Sequence, residues 1–407
     1  MQARAEAIAA PAALAPSAPT IPYASWAERA LTRVGSVLDR AMLRAMSLAF
    51  DASLVPPREE LARIRESAAP YVTPELRACP ERFFAFVAGL LPARLVWSRR
   101  RAQLAGGGWV ISRVFRSGYL PYHCTEGDDR FACAENALVP VEHWTHPHGG
   151  AHGTVIALHG FTMGDPRFDA YPLMVRRWFE RGFDVALVTL PWHGARCPAT
   201  SRYSGELFGS WDVGRLNEAV RQAVHDVRRI ELWLRARSDA PVGIVGLSLG
   251  GYVAAVIASV TADADFLIPI VTPVSLATVP SRMFALSRHG RGAGGAPLSV
   301  TAMEDGYRVH SPLTYTLRVP RERVLIIAGR GDRLVPPEHP QALWRHWGEP
   351  AIHWYSGSHC APFRRSAVFA AGVRHLQTLG ILPVGRAAVP RYASTPAASS
   401  SAMRASP

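Results

Sequence analysis

In the stretch "VGIVGLSLGGYVAAVIA", Ser248 stands between glycines as Gly246-Leu247-Ser248-Leu249-Gly250. A serine hydroxyl is a weak nucleophile until a neighbouring base takes its proton, and that base needs a third group to orient it. Two later stretches end in residues of the right type. "RVLIIAGRGD" ends in Asp332, and "AIHWYSGSH" ends in His359. Together the three would perform acyl transfer: Ser248 attacks, His359 relays the proton and Asp332 holds the imidazole in the correct tautomer. The glycine-flanked serine alone is weak, since about 0.2 such matches arise by chance in a chain of this composition. Its meaning depends on the setting.

The setting supplies further candidates. The helix expected to begin directly after Ser248 aims its first N–H groups at developing negative charge. Backbone N–H groups of Leu249 and of Phe161, in "HGFT", would bind the oxyanion. His159, Thr162 and His193 are candidate pocket residues, although a buried loop histidine held by backbone groups is an equal reading of His193. The rivals of His359 are His339 and His346, which read as solvent-facing on a helix, and His353, which reads as packed within a strand. Glu338 competes with Asp332, whereas Asp263 and Asp265 stand at the wrong end of their strand.

These residues need a scaffold that brings them to one edge. Five short apolar runs, "GTVIALHG", "FDVALVTLP", "VGIVGLS", "DFLIPIVTP" and "RVLIIAGRGD", read as strands, with "AIHWYSGSH" a weaker sixth. "YPLMVRRWFERG" and "GRLNEAVRQAVHDVRRIELWLRAR" have helical spacing. Alternating β and α with fully apolar strands implies a mostly parallel sheet covered by helices on both faces, an α/β class protein. Ligands bind beyond the carboxyl ends of such strands, where all the candidates lie. "WVISRVFRSG" and "ALVPVEHWTHP" read as two preceding strands.

The order serine, aspartate, histidine at strand ends resembles the α/β-hydrolase superfamily, through "HGF", "GLSLGG", "GRGDRLVP" and "GSHC". The resemblance spans about Trp109 to Leu382. The loop "LPWHGARCP", the "LIP" strand and the helical N-terminus resemble, more faintly, the branch of α/β-hydrolase domain-containing protein eighteen. The superfamily likeness implies the α/β-hydrolase fold, an acyl-enzyme and a serine esterase or lipase-like activity, with no metal or organic cofactor. It also implies a lid, placed at about residues 275–320, where a long excursion with a Gly-rich piece lacks an obvious core strand.

The organisation that follows has four parts. Residues 1–22 and 385–407, rich in Ala, Pro and Ser, are expected to be disordered. Residues 23–100 form a helical N-terminal extension, and 101–384 the hydrolase domain. In the extension, Leu31, Val34, Leu38, Met42 and Met46 recur at helical steps, with Arg33, Arg40 and Arg44 opposite. That helix either packs its apolar stripe on a core or serves a membrane-surface or cap role. A second helix is expected from Arg58 to Ser67 and a third over "PERFFAFVAGLLPARL".

Net charge is +13, yet the chain contains no lysine, and its arginines are spread along its length. That pattern argues for compositional bias over a nucleic-acid surface. Five cysteines without a CxxC pair argue against a disulfide scaffold or zinc ribbon and fit a reducing compartment. Without a leucine-rich leader or an apolar span, a cytoplasmic location is expected, with weak peripheral membrane contact left open. The partner implied is a small-molecule ester or a lipid. A non-enzymatic binding protein on the same fold is the reading from another class.

Overall fold

The computed structural model describes residues 25–50, 60–104, 107–123, 133–147, 152–209, 211–287, 298–362 and 365–384. The two terminal segments expected to be disordered, and the Gly-rich piece of the 275–320 excursion, lie outside the described residues.

Nine strands form one sheet, in the order β1-β2-β3-β5-β4-β6-β7-β8-β9. β1 (Arg94–Gln103), β2 (Trp109–Arg116) and β3 (Leu138–Thr145) run antiparallel, and β3 pairs antiparallel with β5. From β4 (Gly153–Leu158) and β5 (Phe183–Val188) through β6 (Val242–Leu247), β7 (Leu267–Ile270), β8 (Leu325–Gly329) and β9 (Ala351–Tyr355), all pairings are parallel. β5 lies on one side of β4 and β6 on the other. The strand order therefore reverses at β4, the point where such sheets open a crevice.

Alternate residues of the parallel strands serve two cores. Ile156, Leu158, Ile244 and Ile326 join one, while Val155, Ala157, Val245 and Ile327 join the other. This period of two explains the continuous apolar runs, because each face needs its own set. The helices divide accordingly. After α1 (Trp26–Ala49), α2 (Glu60–Glu66) and α3 (Pro74–Ala78) come α4 (Pro166–Asp169) and α5 (Val175–Glu180). Next follow α6 (Val213–Arg235), α7 (Leu249–Val260), α8 (Thr278–Leu286), α9 (Val300–Tyr307), α10 (Glu338–His346) and α11 (Arg365–Thr378). Residues of α6, α7, α9 and α10 pack in the first core, those of α5 and α11 in the second.

Three expectations change. The sheet begins at Arg94, inside the extension expected to be helical to residue 100. β1 is exposed along almost its whole length, so it carries no apolar alternation to reveal it. Arginines 94, 99, 100 and 101 line this edge strand and discourage pairing with another chain. The third expected helix is a 3₁₀ segment, Pro80–Gly89, with a kink at Phe84. The third change concerns α1, whose buried face is Thr32, Gly35, Ser36, Asp39, Leu43 and Ser47. Val34, Leu38 and Met42 of the expected inward stripe are exposed.

Many arginines act as internal crosslinks. Arg196 is buried, pairs with Asp226 at 2.7 Å and donates to the Thr189 and Asn136 carbonyls. Arg221 donates to the carbonyls of Phe83 and Leu120. A guanidinium has five donors in a fixed fork, which suits this use.

Candidate active site

The position of the candidate nucleophile, Ser248, is built by backbone geometry. β6 ends at Leu247, Ser248 takes φ 54° and ψ −110°, and α7 begins at Leu249. Positive φ at a non-glycine residue costs about 1–3 kcal/mol and persists only where surroundings enforce it. Here the Ser248 N–H donates to the Ile270 carbonyl at 2.8 Å, and its carbonyl accepts from Tyr252 at 2.9 Å. The turn leaves no room beside it. A Cβ on Gly246 would lie 2.2 Å from the Gly250 oxygen, and one on Gly250 would lie 2.2 Å from the Leu158 oxygen. These clashes are with backbone, which explains both glycines.

Ser248, His359 and Asp332 form one hydrogen-bonded chain. Ser248 Oγ lies 3.1 Å from His359 Nε2, and His359 Nδ1 lies 2.8 Å from Asp332 Oδ2. The other oxygen of Asp332 accepts from Leu334 N and Val335 N at 2.9 and 2.7 Å, which fixes the carboxylate plane. Burial pushes the Asp332 pKa up, against the opposing pull of His359. Burial alone would push His359 down, but the Asp332 and Asp39 carboxylates outweigh it and the net shift is upward. The site therefore favours the imidazolium that forms when a base accepts the serine proton.

Asp39, in the middle of α1, is a residue that sequence reasoning missed. It is fully buried and accepts four hydrogen bonds. Arg333 N donates to Oδ2 at 2.8 Å and His359 N to Oδ2 at 3.0 Å. Ser358 Oγ donates to Oδ1 at 2.8 Å and Cys360 N to Oδ1 at 3.0 Å. One turn earlier, Ser36 Oγ donates to the Gly331 carbonyl at 2.7 Å. The available signal was the stripe of small and polar residues at three- and four-residue steps, Thr32, Gly35, Ser36 and Asp39, resumed two turns later by Ser47.

A cavity of about 430 Å³ opens over Ser248 and His359. Phe161, Thr162 and Leu249 line it, as do Val279, Pro280 and Met283 at α8. Five of the chain's eight methionines, Met42, Met46, Met163, Met174 and Met283, contribute to its wall. As the first residue of α7, Leu249 has an N–H without an intrahelical acceptor. Phe161 follows the β4 end, where Gly160 lies beside the elbow, and a Cβ built on it would sit in ordinary contact, 3.6 Å from that of Ser248.

His159 and His193 sit behind this wall, both buried. His159 Nδ1 lies 2.8 Å from the Gly160 oxygen, and its Nε2 accepts from Leu190 N at 3.0 Å. Burial lowers its pKa to about 4, so it stays neutral and clasps the β4 end to the loop after β5. His193 Nδ1 lies 2.8 Å from the Pro191 oxygen, and its ring supports Phe161 edge-on. Burial pushes its pKa well down.

Among the rivals, His339 is buried, not solvent-facing, and accepts from Val274 N at 3.2 Å. His346 is exposed, with its Nε2 at 2.8 Å from the Tyr315 carbonyl. Asp263 and Asp265 pair with Arg228 and Arg235 at the opposite end of the sheet.

A family model described as "Serine hydrolase (FSH1)" matches residues 151–371. The chain is 32% identical over 324 residues to "Uncharacterized protein Rv2627c" of Mycobacterium tuberculosis strain H37Rv, covering 75% of this chain and 72% of that one. Among solved structures, acetyl xylan esterase 1 from Thermoanaerobacterium sp. JW/SL YS485 aligns with 80% of this chain and 99% of its own. Its identity is 14% and its TM-score 0.49. An acetyl xylan esterase from Paenibacillus sp. R4 aligns with 78% of this chain and 98% of its own, at 14% identity and a TM-score of 0.47. The narrower resemblance carried by the "LPWHGARCP" loop rests on the sequence alone.

Proposed function

The chain belongs to the FSH1 serine hydrolase family, within the α/β-hydrolase superfamily, and from that premise we propose that it cleaves carboxylic esters through an acyl-enzyme on Ser248. The observation that carries this reading is the hydrogen-bonded chain from Ser248 through His359 to Asp332, opening into an apolar cavity. His359 Nε2 takes the Ser248 proton as Oγ bonds to the ester carbonyl carbon. The N–H groups of Leu249 and Phe161 receive the oxyanion. As the intermediate collapses, His359 returns the proton to the departing alcohol. Water then attacks the acyl group with His359 again as base, releasing the acid and restoring Ser248.

The cavity wall points to the acyl side of the substrate. Flexible, polarisable methionines suit an apolar chain of variable shape. α8 and the neighbouring part of α1 form the cap over this cavity, the role assigned to the lid. A fluorophosphonate probe should label Ser248 and lose that label in Ser248→Ala. Across p-nitrophenyl esters, kcat/KM should rise from acetyl toward medium chains by about tenfold or more, since each buried methylene contributes up to a few kcal/mol. Equal labelling of Ser248→Ala would remove the mechanism, and a strict acetyl preference would remove the assignment of the cavity to the acyl chain.

A second reading, hydrolysis of lipids at a membrane surface, is favoured by the outward face of α1. Trp26, Val37 and Leu38 are 76%, 60% and 47% exposed, beside exposed Arg33, Arg40 and Arg44. No helix among the described residues is long and apolar enough to cross a membrane. Co-sedimentation with anionic vesicles tests this reading, and absence of binding ends it.

A further inference from the structure

We propose that Asp39 is a positioning residue for both the base and the acid, so that the active site is completed by the N-terminal helix α1. The inference rests on the acyl-enzyme reading for its kinetic consequence, while its structural part stands on Asp39 itself.

One carboxylate bridges two loops that are separate in sequence. Arg333 N, which it binds, belongs to the residue after Asp332, and His359 N belongs to the base itself. Ser358 Oγ and Cys360 N complete the set on either side of His359. A buried carboxylate is costly unless hydrogen bonds compensate it. Here, among the described residues, the compensation comes from three backbone N–H groups and one hydroxyl, with no arginine paired to it. An apolar residue of similar volume would pack α1 without that cost. What an apolar residue would not supply is a fixed position for the β8 and β9 loop ends.

The approach of α1 is close in other places too. A Cβ on Gly331 would lie 2.5 Å from the Thr32 oxygen and 2.7 Å from Ser36 Oγ. A Cβ on Gly35 would lie 3.0 Å from Ser358. The helix backbone is thus set directly against both loops, with no intervening apolar layer.

Asp39 also adds charge. The titratable groups facing it are Asp332, His359, Cys360 and Tyr355. Burial pushes the Cys360 thiol up to about 12 and the Tyr355 hydroxyl well up, so both are neutral. Two carboxylates therefore act on one imidazole.

The test uses the full chain and the isosteric variant Asp39→Asn, with His359 titrated by ¹⁵N NMR and assigned by its loss in His359→Gln. The midpoint of His359 should fall by about half to one pH unit when one of its two carboxylates is neutralised. On a p-nitrophenyl ester, kcat should fall about 10- to 100-fold with KM within about twofold, as expected for a misplaced catalytic group. The acid limb of kcat/KM should move to lower pH with the midpoint. Ser358→Ala keeps the carboxylate and should leave the midpoint in place, with kcat lowered less than about fivefold. A folded Asp39→Asn variant whose midpoint and kcat match wild type overturns the proposal, and so does a loss confined to KM. Should Asp39→Asn not fold, Ser36→Ala with Ser358→Ala loosens both tethers and must lower kcat at least about fivefold, and wild-type kcat there overturns the proposal. A wild-type protein that neither turns over esters nor labels at Ser248 refutes the hydrolase reading alone, because the His359 shift still reports on Asp39.

Discussion

Helices α7 and α1 both meet the Ser248–His359–Asp332 chain, and they do so in opposite ways. α7 is apolar and buried nearly all round, and it places Ser248 through the covalent chain. The strand stops, one strained residue follows, and the helix starts. α1 stands more than two hundred residues earlier and is not connected to His359 or Asp332 by any local geometry. It buries its polar stripe and leaves much of its apolar stripe outside. The difference is one of need. Ser248, on a strand-to-helix elbow, is aimed by backbone torsions and by glycines that allow close packing. His359 and Asp332, on two loops, have no such frame, and the N–H groups of His359 and Arg333 require an acceptor from elsewhere. Asp39 supplies it.

The largest expected effect tests the α7 side. Ser248→Ala should lower kcat by about 10⁴-fold or more with little change in Tm, since the nucleophile goes while the elbow remains. Ester turnover beside a thermal melt checks this, and residual activity within a hundredfold of wild type would assign the attack elsewhere. Gly250→Ala strikes the scaffold of the same side. Its new Cβ would lie 2.2 Å from the Leu158 oxygen, so about 3 kcal/mol or more of stability should be lost in urea unfolding. A variant as stable as wild type would show an elbow looser than described.

Gly331→Ala is the matching strike on the α1 side. Its Cβ meets the Thr32 carbonyl, so α1 should lift, lowering kcat about tenfold while global stability falls by only about 1–2 kcal/mol. Limited proteolysis should then cut α1 faster than the sheet. If stability falls as far as in Gly250→Ala, the two helices are equally structural and the contrast fails.

The smallest effects are electrostatic. His359 is shifted upward, so the rising limb of kcat/KM should sit above the ordinary histidine range and the rate should fall as pH drops through it. Stability has the opposite cause. His143, His159 and His339 are buried neutral with pKa values lowered to about 4. The unfolded chain binds more protons than the folded one between about pH 6.5 and 4, so the stability these groups hold above that window is lost as pH falls through it. Tm measured over that range should decline, and a flat profile would show that these residues charge without cost.

Much of the fold was legible for a physical reason. Strands β4 to β8 are read directly because a parallel sheet covered on both faces needs unbroken apolar runs, whereas β9, a partly exposed edge strand holding His353, gives the weaker signal. β1 escapes notice because it is an edge with both faces exposed, and its arginines look like any polar segment. The catalytic candidates were legible because each follows such a run. His159 and His193 carry the same polarity as His359 in the sequence, and only their placement behind the cavity wall separates them from it.

By itself, the sequence determined that a serine elbow, an aspartate and a histidine would emerge in order at one edge of a parallel sheet, because periodicity and glycine spacing are local properties. Which face of α1 turns inward was a tertiary decision. Hydrophobic periodicity assumes that a helix packs on an apolar core, whereas α1 packs on two loops with N–H groups to satisfy. A buried carboxylate is worth its desolvation only when those donors, brought together by the folded sheet, converge on it.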